Sequence, residues 1–130
     1  MASIRKEIVT SAGPAAVWDA IADIGKLHER LVPGFVTDTV LEPGARIVTF
    51  ANGMVVREVI VDLDAAARRL VWSAKSELLS HHNASIQVFP EGVGSRLVWI
   101  ADLLPDDAKG AIAGMIEAGS AAMKAALDKL

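Results

Sequence analysis

The rhythm of apolar and polar residues changes twice along this chain, and each change marks a different kind of element. Ile4 to Val9 reads as a first strand of mixed polarity. From Ala15 to Leu31 the spacing turns helical. Val17, Trp18, Ile21, Ala22 and Ile24 recur at three and four, Pro14 suits a first helical position, and Gly25 is a natural stop. A second short helix, Lys26 to Leu31, ends before Pro33-Gly34. Strand-like segments then follow one another: Val36 to Leu41, Arg46 to Ala51, Met54 to Leu63, Leu70 to Lys75, His82 to Phe89 and Ser95 to Leu103. Turn residues separate them, and Asn52-Gly53 is the strongest short hairpin signal among these.

After Pro105 helical spacing returns to the end of the chain. Ile112, Met115, Ile116, Gly119, Met123, Ala126, Leu127 and Leu130 form one stripe, with Glu117, Lys124 and Asp128 on the other side. Asp106 and Asp107 suit the positive end of that helix. Gly119 interrupts the stripe, where glycine costs about 1 kcal/mol against alanine. Either the helix backbone approaches the sheet closely there, or the missing side chain leaves a void bordered by Met115 and Met123.

A meander of antiparallel strands that closes on one long helix buries its apolar faces by curling around that helix. The expectation is a single α+β domain over residues 1–130. A curved antiparallel sheet of about six to seven strands wraps a long C-terminal helix, two short helices follow the first strand, and a pocket lies beneath. Alternation assigns the faces. His82, Ala84, Ile86 and Val88 point inward, as do Leu97, Trp99 and Ala101, and Leu70, Trp72 and Ala74. Val98 and Ile100 fall on the outer face, where they hint at an interface between two copies or reflect ordinary strand propensity.

Composition narrows the function. One hundred and thirty residues suffice for a core without staples, and the absence of cysteine excludes disulfides, thiolate zinc sites and a cysteine nucleophile. A net charge of −3 argues against nucleic acid, and no apolar run approaches the length of about 20 residues needed to span a bilayer. Neither a secretory leader nor membrane insertion is expected, which points to a cytoplasmic location. The 52% apolar content is high for such a chain, so the core is large or apolar surface lines a cavity or interface. There is no serine elbow and no phosphate-cradling glycine loop.

With these residues in view, the chain resembles the START and polyketide-cyclase-like superfamily (SRPBCC), the helix-grip fold shared with the birch-pollen allergen. The matching pieces are "AAVWDAIADIGKLHERLVPGF", "GARIVTFANGMVVREVIVDLD", "RRLVWSA", "GVGSRLVWIADLLP" and the closing helix. The resemblance implies a cavity between sheet and helix. Members bind lipids, steroids, hormones and polyketides, and a minority catalyse cyclisation or dehydration.

The expected ligand is accordingly a small hydrophobic or amphipathic molecule of lipid, polyketide or aromatic type. Its site would be lined by Phe50, Val56, Trp72, His82, Ala84, Ile86, Trp99, Ile112, Met115, Gly119 and Met123, with His28, Arg30 and Glu58 as orienting polar groups. No metal or other cofactor is expected, since His81 and His82 point to opposite faces of a strand and no cysteine assists. His82, aimed inward, would have a lowered pKa and act as a neutral donor, acceptor or base. It could equally bond backbone at the strand's end. Either Glu58 or Arg57 must sit among apolar neighbours, and periodicity leaves open which. Arg30 could meet a ligand acid or simply bridge Glu29 or Asp23. Two alternatives stand beside binding: a cyclase or dehydratase using His82 or Glu58 as acid/base, and an interaction module with a filled core. The chain would be a monomer or weak homodimer.

Overall fold

The computed structural model describes residues 1–130. Its order is β1 (Ala2–Thr10), α1 (Pro14–Ala22), a 3-10 turn (Ile24–Lys26), a π-helical turn (Leu27–Leu31), then β2 (Val36–Glu42), β3 (Ala45–Phe50), β4 (Val55–Asp64), β5 (Arg69–Lys75), β6 (His81–Glu91) and β7 (Gly94–Leu104). A second 3-10 turn (Asp106–Ala108) leads into α2 (Lys109–Leu127). All seven strands form one antiparallel sheet in the order β1-β7-β6-β5-β4-β3-β2. The α+β architecture is the one expected. The α-helix stops at Ala22, before the expected Gly25, and the second short helix is a π-helical turn reached through the 3-10 turn.

Inward alternation holds. Leu70, Ala84, Ile86, Val88, Leu97 and Ala101 are buried beneath α1 and α2, together with Val17, Ile21, Ile116 and Leu127. Burying each large aliphatic side chain stabilises the fold by roughly 1.5–3 kcal/mol. Helix α2 is tethered to β1 by polar groups flanking its stripe. The Lys6 ammonium donates to the Glu117 carboxylate at 2.8 Å, Lys124 donates to the Val9 carbonyl at 2.7 Å, and the Thr10 hydroxyl donates to Asp128 at 2.7 Å. Glu117, Lys124 and Asp128 therefore clamp the helix to an edge strand, and the helix is free to stand off the sheet centre.

Four expectations need correction. Asp106 and Asp107 occupy the 3-10 turn, one turn ahead of α2, and Asp106 instead meets the N-terminal amine at 3.1 Å. Leu130 lies beyond the helix end and is exposed. Val98 faces outward, yet only 6% of it is exposed, because the longer side chains around it cover it. Glu7 and Gln87 are its register partners, and Arg96 reaches across to Glu7 at 2.8 Å. Ile100, on the same face, is half-buried. Finally, the β3–β4 turn is longer than a two-residue Asn-Gly loop. The Phe50 amide donates to the Met54 carbonyl at 2.8 Å, so Ala51-Asn52-Gly53 form a three-residue loop with Gly53 at φ +89°. That one residue shifts the pairing of the whole hairpin, which sets Arg46 opposite Glu58.

Candidate functional site

A cavity of about 120 Å³ lies between the sheet and α2. Phe50, Val56, Leu70, Trp72, Ala74, Ile86, Trp99 and Ala101 form its sheet wall. Ile112, Met115, Ile116 and Met123 of α2 roof it, and Leu27, Leu31, Val32 and Phe35 plug one end. Met54, Ser76, Leu78 and Leu79 complete the lining, and the exposed Leu78 marks the mouth. Two aromatic pairs stiffen the wall. Phe35 and Phe50 meet edge-on at 5.4 Å between ring centroids, and Trp72 and Trp99 are tilted at 6.2 Å.

Only four of the 24 lining residues are polar: Arg46, Glu58, Ser76 and His82. Periodicity had left Glu58 and Arg57 undecided, and here Glu58 points inward while Arg57 lies outside, bonded to Glu42 at 3.1 Å. Glu58 does not stand alone. The Arg46 Nε donates to Glu58 Oε1 at 2.8 Å, with the two side chains 4% and 10% exposed, and Arg46 Nη1 donates to the Ile24 carbonyl at 3.3 Å. The guanidinium supplies the counter-charge that a solitary buried carboxylate lacks. Arg46 was missed as a site residue although its signal was present: it shares strand phase with Val48 and with Phe50, which had been placed inward.

His82 combines both roles foreseen for it. The ladder between β5 and β6 stops at Trp72 and Ala84. Past that point the Ala74 amide donates to His82 Nδ1 at 2.9 Å, and the Ser73 hydroxyl donates to the His82 carbonyl at 2.6 Å. The imidazole takes the place of a strand carbonyl and still lines the cavity. Burial pushes its pKa below the usual histidine value, with the charges of His81 and Lys75 adding to the effect and Asp102 opposing it. A neutral ring that accepts at Nδ1 carries its proton on Nε2.

Four expected lining residues lie elsewhere. Arg30 sits on the surface, clamped by Asp19 at 2.7 Å and Asp23 at 3.1 Å, and these bonds raise its pKa further. His28 stays outside the cavity beside Glu29, at 3.6 Å. Ala84 is buried in the core of the sheet, short of the cavity. Gly119 resolves as a tight crossing. A Cβ there would stand 3.1 Å from Phe35 and 3.2 Å from Trp99, so glycine lets the helix backbone rest on those rings. The remaining expected residues, Phe50, Val56, Glu58, Trp72, His82, Ile86, Trp99, Ile112, Met115 and Met123, all border the cavity.

The family model described as polyketide cyclase/dehydrase and lipid transport matches residues 1–130. The chain belongs to that family. Among solved structures, it is similar to the protein XoxI from Bacillus cereus at 18% identity, with a TM-score of 0.87 over 98% of this chain and 96% of that one. It is similar to a START superfamily protein from Mycobacterium smegmatis at 11% identity, with a TM-score of 0.78 over 98% and 97%. One domain's worth of the di-domain ARO/CYC BexL from the BE-7585A biosynthetic pathway also matches, at 19% identity and a TM-score of 0.81, over 98% of this chain and 47% of that one. No curated protein sequence matches. At these identities the structural likeness shows the helix-grip fold, shared across the START-like superfamily. No helix is long and apolar enough to cross a membrane.

Proposed function

We propose that this member binds a small hydrophobic or amphipathic molecule in the cavity between sheet and α2, and that it does so in the cytoplasm. The carrying observation is a cavity whose lining is apolar apart from Arg46, Glu58, Ser76 and His82. Apolar walls with a few placed polar groups are the usual make-up of small-molecule sites. The family's description, which joins cyclase chemistry to lipid transport, agrees with it.

Size selects among the expected guests. A cavity of about 120 Å³ is close to the roughly 150 Å³ engineered void that takes up benzene, and well below the roughly 300–1,000 Å³ of drug-sized sites. A single-ring aromatic compound fits, whereas a long acyl chain needs the mouth at Leu78 to widen. Native mass spectrometry of freshly purified protein tests for a co-purifying guest, and a thermal-shift series of one-ring compounds follows. A guest selective for the folded state raises the melting temperature in proportion to the logarithm of its concentration. Failure of every one-ring compound to do so contradicts the proposal.

A catalytic reading rests on one observation: the neutral His82 ring borders the cavity. It is a base or donor candidate for a cyclase or dehydratase. Glu58 serves that reading less well, because Arg46 already holds it. Turnover of a polyketide-like substrate that vanishes in His82→Ala would support it, and unchanged turnover would remove His82. The filled-core alternative conflicts with the cavity.

A further inference from the structure

The outer face of the sheet, on the side away from the cavity, carries a groove of about 270 Å³. Its lining holds three arginines and no carboxylate: Arg5 of β1, Arg96 of β7 and Arg69 of β5. The floor runs along β7 and β6, where Ile100 pairs in register with Ser85 and Val98 with Gln87. Arg5 pairs with Ile100 from one bank, and Arg69 pairs with Gln87 from the other. Strands stand about 4.8 Å apart, so three spacings put the two banks about 14 Å from each other. Ser85 and Val98, shorter than the arginines on either side, keep the floor low.

The three arginines are unequally engaged. Arg5 and Arg96 share one carboxylate, Glu7, at 3.0 and 2.8 Å. Those two bonds hold the Glu7 carboxyl below the usual carboxylate range, so it stays charged and yokes the two guanidinium groups. Arg96 also lies over the Phe89 ring, 5.0 Å from its centroid, which fixes its head at one end of the groove, and its Nε stands 3.9 Å from Glu91. Arg69 is half-buried and makes neither a hydrogen bond nor an ion pair through its side chain. Its register partner on β4, Asp64, instead accepts from the Ala67 amide at 3.0 Å. The Gln87 amide donates to the Ala67 carbonyl at 3.2 Å, and the Ser85 hydroxyl beside it has no partner. Three guanidinium groups thus meet Glu7 and the more distant Glu91 alone, on a chain whose net charge is −3.

We propose that this groove binds a soluble diphosphate, free or esterified, with the unpaired Arg69 as its principal anchor. A single carboxylate is planar and pairs bidentately with one guanidinium, so it serves one bank only. Two linked phosphoryl groups present oxygens in both directions. One group meets Arg69, the other meets Arg5 and Arg96, and the Ser85 hydroxyl donates from the floor. Arginine suits this task because its planar fork matches phosphate oxygens and keeps its charge at every working pH. The groove and the cavity lie on opposite faces of the sheet, so this site stands apart from the binding reading above, and either can fail alone.

Pyrophosphate, phosphate, acetate and ADP separate the cases when titrated into the native protein at one ionic strength held with sodium chloride. Amide NMR shifts are expected to centre on Ser85, Gln87 and Val98, with pyrophosphate binding about tenfold tighter than phosphate and acetate weaker still. Arg69→Gln is expected to weaken pyrophosphate at least about fivefold, and Arg5→Gln to erode its preference over phosphate. Arg57→Gln removes the same charge from the outer face beyond the groove, where Arg57 is bonded to Glu42, and is expected to leave the affinity within about twofold. ADP binding as pyrophosphate does supports an ester as the guest, and pyrophosphate binding without ADP supports the free diphosphate. Pyrophosphate no tighter than phosphate or acetate overturns the proposal without any variant. So do shifts centred outside the groove, or a folded Arg69→Gln that binds pyrophosphate as the native protein does.

Discussion

Removing half of the Arg46–Glu58 pair is the most demanding perturbation of this fold. Glu58→Gln keeps the shape of the side chain and deletes its charge, so the Arg46 guanidinium, only 4% exposed, is left beside a neutral amide in an apolar setting. Breaking a buried pair by removing one partner costs about 3–5 kcal/mol, far more than the median of about 0–1 kcal/mol for exposed pairs. For a chain of 130 residues, 1 kcal/mol moves the melting temperature by roughly 4 °C. Glu58→Gln is therefore expected to lower it by about 12–20 °C, and Arg46→Met to act similarly. The double variant Arg46→Met/Glu58→Leu removes both charges and restores packing, and buried pairs so replaced are often neutral or better. It is expected within about 1 kcal/mol of the native protein. Urea unfolding of the native protein, Glu58→Leu, Arg46→Met and the double variant closes the cycle. A cost below about 1 kcal/mol for Glu58→Gln, or singles that simply add in the double variant, would refute the claim that this pair is desolvated and coupled.

Three further outcomes are expected. His82 has a folded pKa below its unfolded value of about 6.5, so below that pH the unfolded chain binds the extra proton and stability falls as pH drops towards the folded pKa. Stability is flat above about pH 6.5, and His82→Gln should flatten the curve below that pH; an unchanged slope would show that this ring does not titrate as described. Gly119→Val drives branched carbon into the Phe35 and Trp99 rings and is expected to destabilise by about 1–3 kcal/mol in chemical denaturation, with a neutral result arguing against the tight crossing. Arg30→Ala is expected to leave the affinity of a one-ring guest within twofold, measured by calorimetry, because Arg30 is engaged with Asp19 and Asp23 outside the cavity.

The fold was legible because two strong periodicities follow each other without interruption, and because one long stripe can be covered only by the sheet before it. Within the site, strand alternation placed Trp72, His82, Ile86 and Trp99 on the inner wall. It did not show that Arg46 stands opposite Glu58, for a specific reason. A two-residue Asn-Gly loop would set Arg46 opposite Val59, and the observed three-residue loop sets it opposite Glu58. Turn length is a local backbone property that Asn-Gly alone does not determine. Arg30 and His28 were misplaced because helical spacing locates a residue on a short turn without saying how that turn is rolled against the sheet. Gly119 could not be resolved because close approach and empty space both ask for the smallest side chain. Val98 looked available because alternation reports which face a residue occupies, and says nothing of the arginine, glutamine and glutamate that surround it.

Guest binding requires hollow space beneath α2. Diffraction from crystals pressurised with xenon tests it most directly. The expected result is ordered xenon between Trp72, Trp99, Ile112 and Met115, with the surrounding backbone unmoved. Xenon found only elsewhere, with those four side chains in mutual contact, would contradict it.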